Sequence, residues 1–238
     1  MLVRMQSHSA SGSGPDEPSE ERMLAINRRM NPPENEIPVV VPISTLLART
    51  DTIAVALIGG HAYTDGLRFD LAVRLRQEPQ GSMRHRSYVM LSPYAGSGDD
   101  DEQFLLGVEY ADGRTATNFE TLGFRGRPVD DDPEKPSLSP MGGGGGGRSF
   151  DQSFWLTPLP PAGPLLVVCA WSAFDIPETR TVVDGAAIAD AGSRAVVLWQ
   201  PSPPEDDEPF EPSMPRVPDG GWFDRVSRAG QGADGPLD

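Results

Sequence analysis

The stretch Leu67-Arg-Phe-Asp-Leu-Ala-Val-Arg-Leu75 indicates the fold class of the whole chain. Apolar side chains occupy every second position of this stretch, and Arg68, Asp70, Ala72 and Arg74 lie between them. Successive side chains of a β-strand point to opposite faces of a sheet, so the alternation predicts a strand with one buried and one wet face. Sheets with one solvated face are commonly antiparallel.

Strand signals of the same kind recur through residues 36–200, at 53–57, 104–110, 114–117, 150–156, 165–171, 179–183 and 195–199. Asp112-Gly113 is typical of a tight hairpin turn, and the unbroken apolar run 165–171 indicates a central strand. Asp184 is predicted to cap a short helix that Gly192 ends. About seven to nine strands with almost no helix predict an all-β fold, an antiparallel two-sheet sandwich of immunoglobulin-like or jelly-roll-like type.

The two ends of the chain differ from this domain in composition. Residues 1–35 predict a mobile N-terminal arm, in which 19–30 can form a short helix that packs on its own domain or docks a partner. Residues 201–238 predict a disordered, acidic, Pro-rich tail. We interpret Trp222 and Phe223 in this tail as docking anchors for a protein partner, or as side chains that fold back on the domain.

The bulk properties restrict the class of function. The chain has 238 residues, a formal net charge of -15 and one cysteine. A strongly acidic chain repels phosphate, so we expect no nucleic-acid partner. One cysteine cannot form an intramolecular disulfide. No secretory signal and no apolar run of about 18 residues occur, so we expect a cytoplasmic protein without a membrane partner.

One cluster of positive charge stands out in the predicted domain. Arg74, Arg76, Arg84, His85 and Arg86 can gather at one strand end and its following loop. The cluster can serve as an anion site or as a contact for the acidic tail, and the alternative is a simple balance of surface charge. No row of aromatic residues accompanies it, which disfavours single-stranded nucleic acid.

His61, Tyr63 and Asp65 alternate at a predicted strand end and would share one face. A hydrolytic site there would also need a nucleophile, and no Gly-x-Ser-x-Gly sequence exists. Cys169 lies within an apolar strand, where a thiol is usually inert. A structural histidine is therefore the favoured interpretation, and a hydrolase using His61 and Asp65 is the alternative.

Two acidic loops, 99–102 and 130–134, are further candidates. Loops at one end of a sandwich can supply oxygen ligands to calcium, but the alternating ligand spacing of a calcium loop is missing, so solvated loops are favoured over a calcium-responsive module. The glycine run 142–147 lacks the preceding strand, the Lys-Ser/Thr pair and the following helix of a phosphate loop. It predicts a flexible hairpin connection.

The stretch Phe154-Trp-Leu-Thr-Pro-Leu-Pro-Pro-Ala-Gly-Pro-Leu-Leu-Val-Val-Cys-Ala-Trp171, followed by Ile176-Pro-Glu-Thr-Arg180, resembles a group of uncharacterised β-rich proteins of high-GC actinobacteria. The resemblance implies a bacterial cytoplasmic protein and transfers no activity or site residue. Together the sequence predicts a non-catalytic protein-interaction module with an unidentified protein partner, no cofactor and no metal.

Overall fold

The computed structural model describes residues 20–78, 104–118, 132 and 134–200, all of which belong to one compact unit. The described elements are mostly strands. In chain order they are α1 (Glu20–Met30), β1 (Glu36–Ile37), β2 (Val39–Arg49), β3 (Ile53–Ala62), β4 (Leu67–Leu75), β5 (Leu105–Glu109), β6 (Thr115–Thr117), β7 (Ser137–Gly146), β8 (Ser149–Thr157), β9 (Pro164–Trp171), β10 (Ile176–Asp184), α2 (Gly185–Ser193) and β11 (Val196–Val197).

The strands form three antiparallel sheets, and the predicted all-β sandwich is confirmed. Two of them are the main sheets: the larger sheet has five strands in the order β2-β3-β4-β8-β7, and the smaller sheet has four strands in the order β10-β9-β5-β6. A third sheet is the short ribbon β1-β11. The stretch that predicted the fold is β4, which pairs with β3 on one side and β8 on the other.

One hydrophobic core joins the two main sheets. The inward row of β4 contributes Leu67, Phe69 and Leu71, which are almost completely buried. Phe69 stacks on Phe154 of β8 with ring centroids 5.7 Å apart. The smaller sheet contributes the predicted inward row 104–110, and Phe104 meets Trp171 edge-on at 5.1 Å.

Helix α1 packs on the outer side of β7 and β8. Trp155 lies on the outward row of β8, yet it is fully buried under α1, and its indole Nε1 donates to the Arg28 carbonyl at 2.9 Å. Ser139 donates to the Arg29 carbonyl at 3.2 Å, and the buried Arg29 side chain donates to the Lys135 carbonyl at 3.1 Å. Part of the segment assigned to the N-terminal arm is thus held against the larger sheet. Residues 1–19 and 201–238 lie outside the described residues.

The glycine run differs from its prediction. Residues 142–146 are not a loose connection but the second half of strand β7, which pairs with β8 from Ser149 to Thr157. The turn itself is only Gly147-Arg148, and Gly147 adopts φ +60, a left-handed conformation that favours glycine. Backbone pairing with β8 holds these glycines in extended conformation, which local composition does not reveal.

In the C-terminal part of the domain, the predicted helix after Asp184 is present, whereas the predicted strand 195–199 is shorter than expected. Asp184 caps α2 by accepting from the backbone nitrogens of Ala186 and Ala187 at 3.0 and 3.2 Å. The predicted strand 195–199 contracts to Val196–Val197, which pairs with β1 instead of joining a main sheet.

Candidate functional site

The structure describes two of the four arginines in the predicted cluster. Arg74 and Arg76 lie two positions apart at the end of β4 and are exposed, while Arg84 and Arg86 lie outside the described residues. Arg74 forms an ion pair with Asp151 of β8 at 2.7 Å, with both side chains about half exposed. This pair balances one of the two described charges.

Sheet register brings two further arginines to the same end of the larger sheet. Ala54 of β3 lies between Arg49 of β2 and Arg74 of β4, and Arg148 occupies the turn that joins β7 to β8. Sequence analysis missed Arg49 and Arg148, because they are distant in the chain and only strand pairing places them near Arg74. With Asp151 among them, these arginines form a mixed-charge rim.

The structure does not join His61 and Asp65 through a hydrogen bond in the described part of the chain. Strand β3 ends at Ala62, and Tyr63 to Gly66 form the turn to β4. His61 faces Arg68 across the strand pair, and the Tyr63 ring meets Trp155 edge-on at 5.4 Å. Tyr63 thus packs in the hydrophobic surroundings of Trp155, and burial raises the pKa of Tyr63.

Asp65 lies in this turn as a half-buried carboxyl group. Burial raises the pKa of Asp65, and the nearby Glu36 carboxylate raises it further, while Arg28 lowers it. Its Oδ1 and the Nε of Arg68 are buried atoms without a hydrogen-bond partner among the described residues. The burial of these charged groups near Trp155 therefore lowers the stability of the fold.

Cys169 behaves as the sequence predicted for an inert core thiol. It is buried on the inward row of β9, and its Sγ lies 3.1 Å from Oγ1 of Thr179. Burial raises the pKa of the Cys169 thiol, which disfavours the reactive thiolate.

The acidic loop 130–134 is described only at its end, and the loop 99–102 lies outside the described residues. Asp132 accepts from the backbone nitrogen of Glu134 at 3.0 Å, and Arg114 donates to the Glu134 carbonyl at 2.6 Å. Across the ranges that the structure describes, no group of three or more histidine, cysteine and acidic side chains is arranged to hold a metal ion. No helix in those ranges is long and apolar enough to cross a membrane.

The outer face of the smaller sheet carries an apolar surface. We call it the open face and define it by nine outward residues of β5, β9 and β10: Leu105, Gly107, Glu109, Leu166, Val168, Ala170, Glu178, Arg180 and Val182. The outward row of β9 is wholly apolar and half-buried. Leu105 and Val182 on the neighbouring strands are 44% and 65% exposed. Outward side chains of an antiparallel sheet are normally polar, so an apolar outer face is a feature to be explained.

A groove of about 350 Å³ lies on the β5 side of the open face, above Gly107, and extends to Thr115 and Thr117 of β6. Leu105, Val168 and Ala170 form apolar parts of its wall, and Glu109 and Glu178 contribute carboxylates. Glu178 is paired with Arg180 at 2.9 Å. Glu109 makes no ion pair with any other residue described here. Sequence analysis missed this site, although the run 165–171 indicated a strand that is apolar on both faces.

No known protein family, characterised protein or solved structure matches this chain. The resemblance to actinobacterial proteins stays a prediction. The site is therefore interpreted from its geometry and chemistry alone.

Proposed function

We propose that the protein is a non-catalytic interaction module that binds another protein through the open face. The observation that supports this is the outward row Leu166, Val168 and Ala170, flanked by the exposed Leu105 and Val182. Covering apolar surface contributes about 25 cal/mol per Å². Contiguous apolar patches on a protein surface commonly mark interaction sites.

The size of the open face favours an extended segment over a second globular domain as its occupant. Three strands, each about 4.8 Å wide in the sheet and taken over the five residues of β5, give a flat area of roughly 250 Å². Stable interfaces between globular proteins bury about 800 Å² on each partner. A segment of a partner that lies across the strands fits the smaller area.

Capture experiments with matched variants test this surface. Leu105→Glu/Val182→Glu places two carboxylates on the open face, and Val40→Glu/Leu46→Glu places two on β2 of the larger sheet. The control residues Val40 and Leu46 are 67% and 54% exposed, close to the exposure of the test pair. The folded state of each variant is checked by its melting temperature.

We expect wild type and the β2 variant to recover the same partner from native lysate, quantified by mass spectrometry. The open-face variant is expected to recover at least about tenfold less, because charge at a desolvated interface core is costly. Equal recovery by both variants would remove the open face from the proposal.

Docking through Trp222 and Phe223 stays a prediction, since both lie outside the described residues. Trp222→Ala/Phe223→Ala in the same capture experiment tests it separately. The cytoplasmic location and the lack of a nucleic-acid partner also stay predictions from the sequence.

A further inference from the structure

We infer that the groove above Gly107 receives a lysine or arginine side chain from an extended partner segment, with the cationic group at Glu109. This inference rests on the proposed function and specifies the chemistry of the partner. The segment combines apolar residues, which cover the open face, with one basic residue that enters the groove.

Packing within the protein does not require glycine at position 107. A Cβ added there would meet its nearest neighbours, the Ala116 carbonyl oxygen and Thr117 Cγ2, at 3.6 and 3.7 Å, which is ordinary contact. Gly107 is not among the glycines with positive φ, and its pairing with Thr117 and Val168 shows no bulge. Glycine inside a strand weakens it and often marks a place where a ligand approaches the backbone.

The missing side chain creates the groove, and the neighbouring side chains select its occupant. Leu105 and Val168 offer apolar contact to a chain of methylene groups. Glu109 lies two residues from Gly107 on the same face, about 7 Å away along the strand. Lysine and arginine bury their methylene stem along apolar surface and keep the charged group at a polar edge.

The charge beside the groove favours a basic occupant, and the volume of the groove leaves room for one long side chain. A groove of about 350 Å³ is at the lower end of ligand sites in proteins, which begin near 300 Å³. Arg180 is already paired with Glu178, so among the described residues Glu109 supplies the unbalanced negative charge at the edge of the groove. The net charge of -15 attracts a basic partner over longer distances.

Three peptides test the inference, identical except for the central residue: acetyl-Val-Thr-X-Thr-Val-amide with X as lysine, norleucine or glutamate, so that in extended conformation X and the two valines lie on the same side. Each is titrated into the full-length protein, and backbone amide shifts of β5 and β9 are followed by NMR. We expect saturable shifts at Gly107 and its neighbours. Lysine should bind about two- to fivefold more tightly than norleucine, as exposed ion pairs do, and glutamate should bind most weakly. High salt should reduce the advantage of lysine.

Two variants connect the result to the groove. Glu109→Gln should bring the lysine peptide to the affinity of the norleucine peptide. Gly107→Val should weaken both peptides at least about tenfold without lowering the melting temperature, because valine fills the groove and suits a strand. Unchanged lysine affinity in either variant, or no saturable shift on β5 and β9, would overturn the inference.

The outcomes separate this inference from the proposed function. If capture depends on Leu105 and Val182 but the lysine peptide shows no preference over norleucine, the open face is an interface and the basic occupant is wrong. If capture does not depend on those two residues, the proposed interface itself is wrong.

Discussion

The outer faces of the two main sheets differ in what lies on them. On the larger sheet, α1 covers Trp155, and charged side chains on the uncovered part pair with each other, as Arg74 does with Asp151. We call this surface the covered face. On the smaller sheet, the open face presents the apolar row Leu166, Val168 and Ala170 with no described helix above it. Both faces belong to one sandwich and surround one core.

The difference between the two faces distinguishes apolar side chains that stabilise the fold from apolar side chains that are available to a partner. Trp155 on the covered face already has partners within the chain, so its burial serves the fold. Apolar groups on the open face contribute little to folding where they stay exposed, since the stabilisation by burial scales with the area removed from water. An outward apolar group that does not stabilise the fold is a candidate for contact with a partner.

The largest expected effect sharpens this comparison at Trp155. Trp155→Ala should destabilise the protein by about 3–5 kcal/mol, since a fully buried indole and its hydrogen bond to Arg28 are lost. Leu105→Ala on the open face should cost less than about 1 kcal/mol, because much of that side chain is already in water. Urea unfolding of the two variants measures both values.

Equal losses at Trp155 and Leu105 would break the comparison. They would show that the open face is covered as fully as the Trp155 site.

A smaller effect is expected in the glycine strand β7. A Cβ at Gly145 would overlap the Ser149 carbonyl oxygen and lie 2.6 Å from Phe150 Cα, so Gly145→Ala should cost about 1–3 kcal/mol. A Cβ at Gly144 would meet nothing within 4 Å. Gly144→Ala should therefore be neutral or stabilise by up to about 1 kcal/mol. Thermal unfolding of the pair measures the difference, and equal melting temperatures would contradict the register of β7.

The smallest effects concern the half-buried carboxyl group of Asp65, in the turn between β3 and β4. Because burial raises the pKa of Asp65, its ionisation costs stability as pH rises through the folded-state pKa. Asp65→Asn should thus be more stable than wild type at neutral pH, and the difference should vanish near pH ~3, where both states of the wild type are protonated. Urea unfolding as a function of pH measures it.

Asp112 serves as the control for Asp65, because its pKa is shifted in the opposite direction. A hydrogen bond from the Arg114 side chain lowers the pKa of this exposed carboxyl group. Its stabilising contribution is present at neutral pH and is lost as pH falls through the lowered pKa. Asp112→Asn should be less stable than wild type at neutral pH. The same sign for both variants would contradict the assigned electrostatics.

Local patterns predicted the strands and turns that depend on neighbouring residues. The alternation in 67–75 predicted β4, Asp112-Gly113 predicted the hairpin between β5 and β6, and Asp184 predicted the cap of α2. The same patterns were wrong for the glycine run, because pairing with β8 rather than local preference holds it extended. They also gave no sign that Trp155 is buried, because the helix that covers it is far away in sequence.

The candidate site was less accessible to sequence analysis than the fold. The predicted arginines and the His61 group are visible in the chain as local clusters, whereas the open face is assembled from three strands. Gly107 faces Val168 only through the pairing of β5 with β9. The one available signal was the run 165–171, because a strand that is apolar on both faces needs a partner on each of them.

The amino-acid sequence alone determined the all-β class, the inward rows and the main turns, because alternation and turn chemistry are encoded over a few adjacent residues. Only the tertiary structure decided which outer face is covered. Trp155 and Arg28 are 127 residues apart, and a contact over that distance depends on how sheets and helices pack. The same packing left Leu166, Val168 and Ala170 facing outward around the groove, and this surface carries the proposed function.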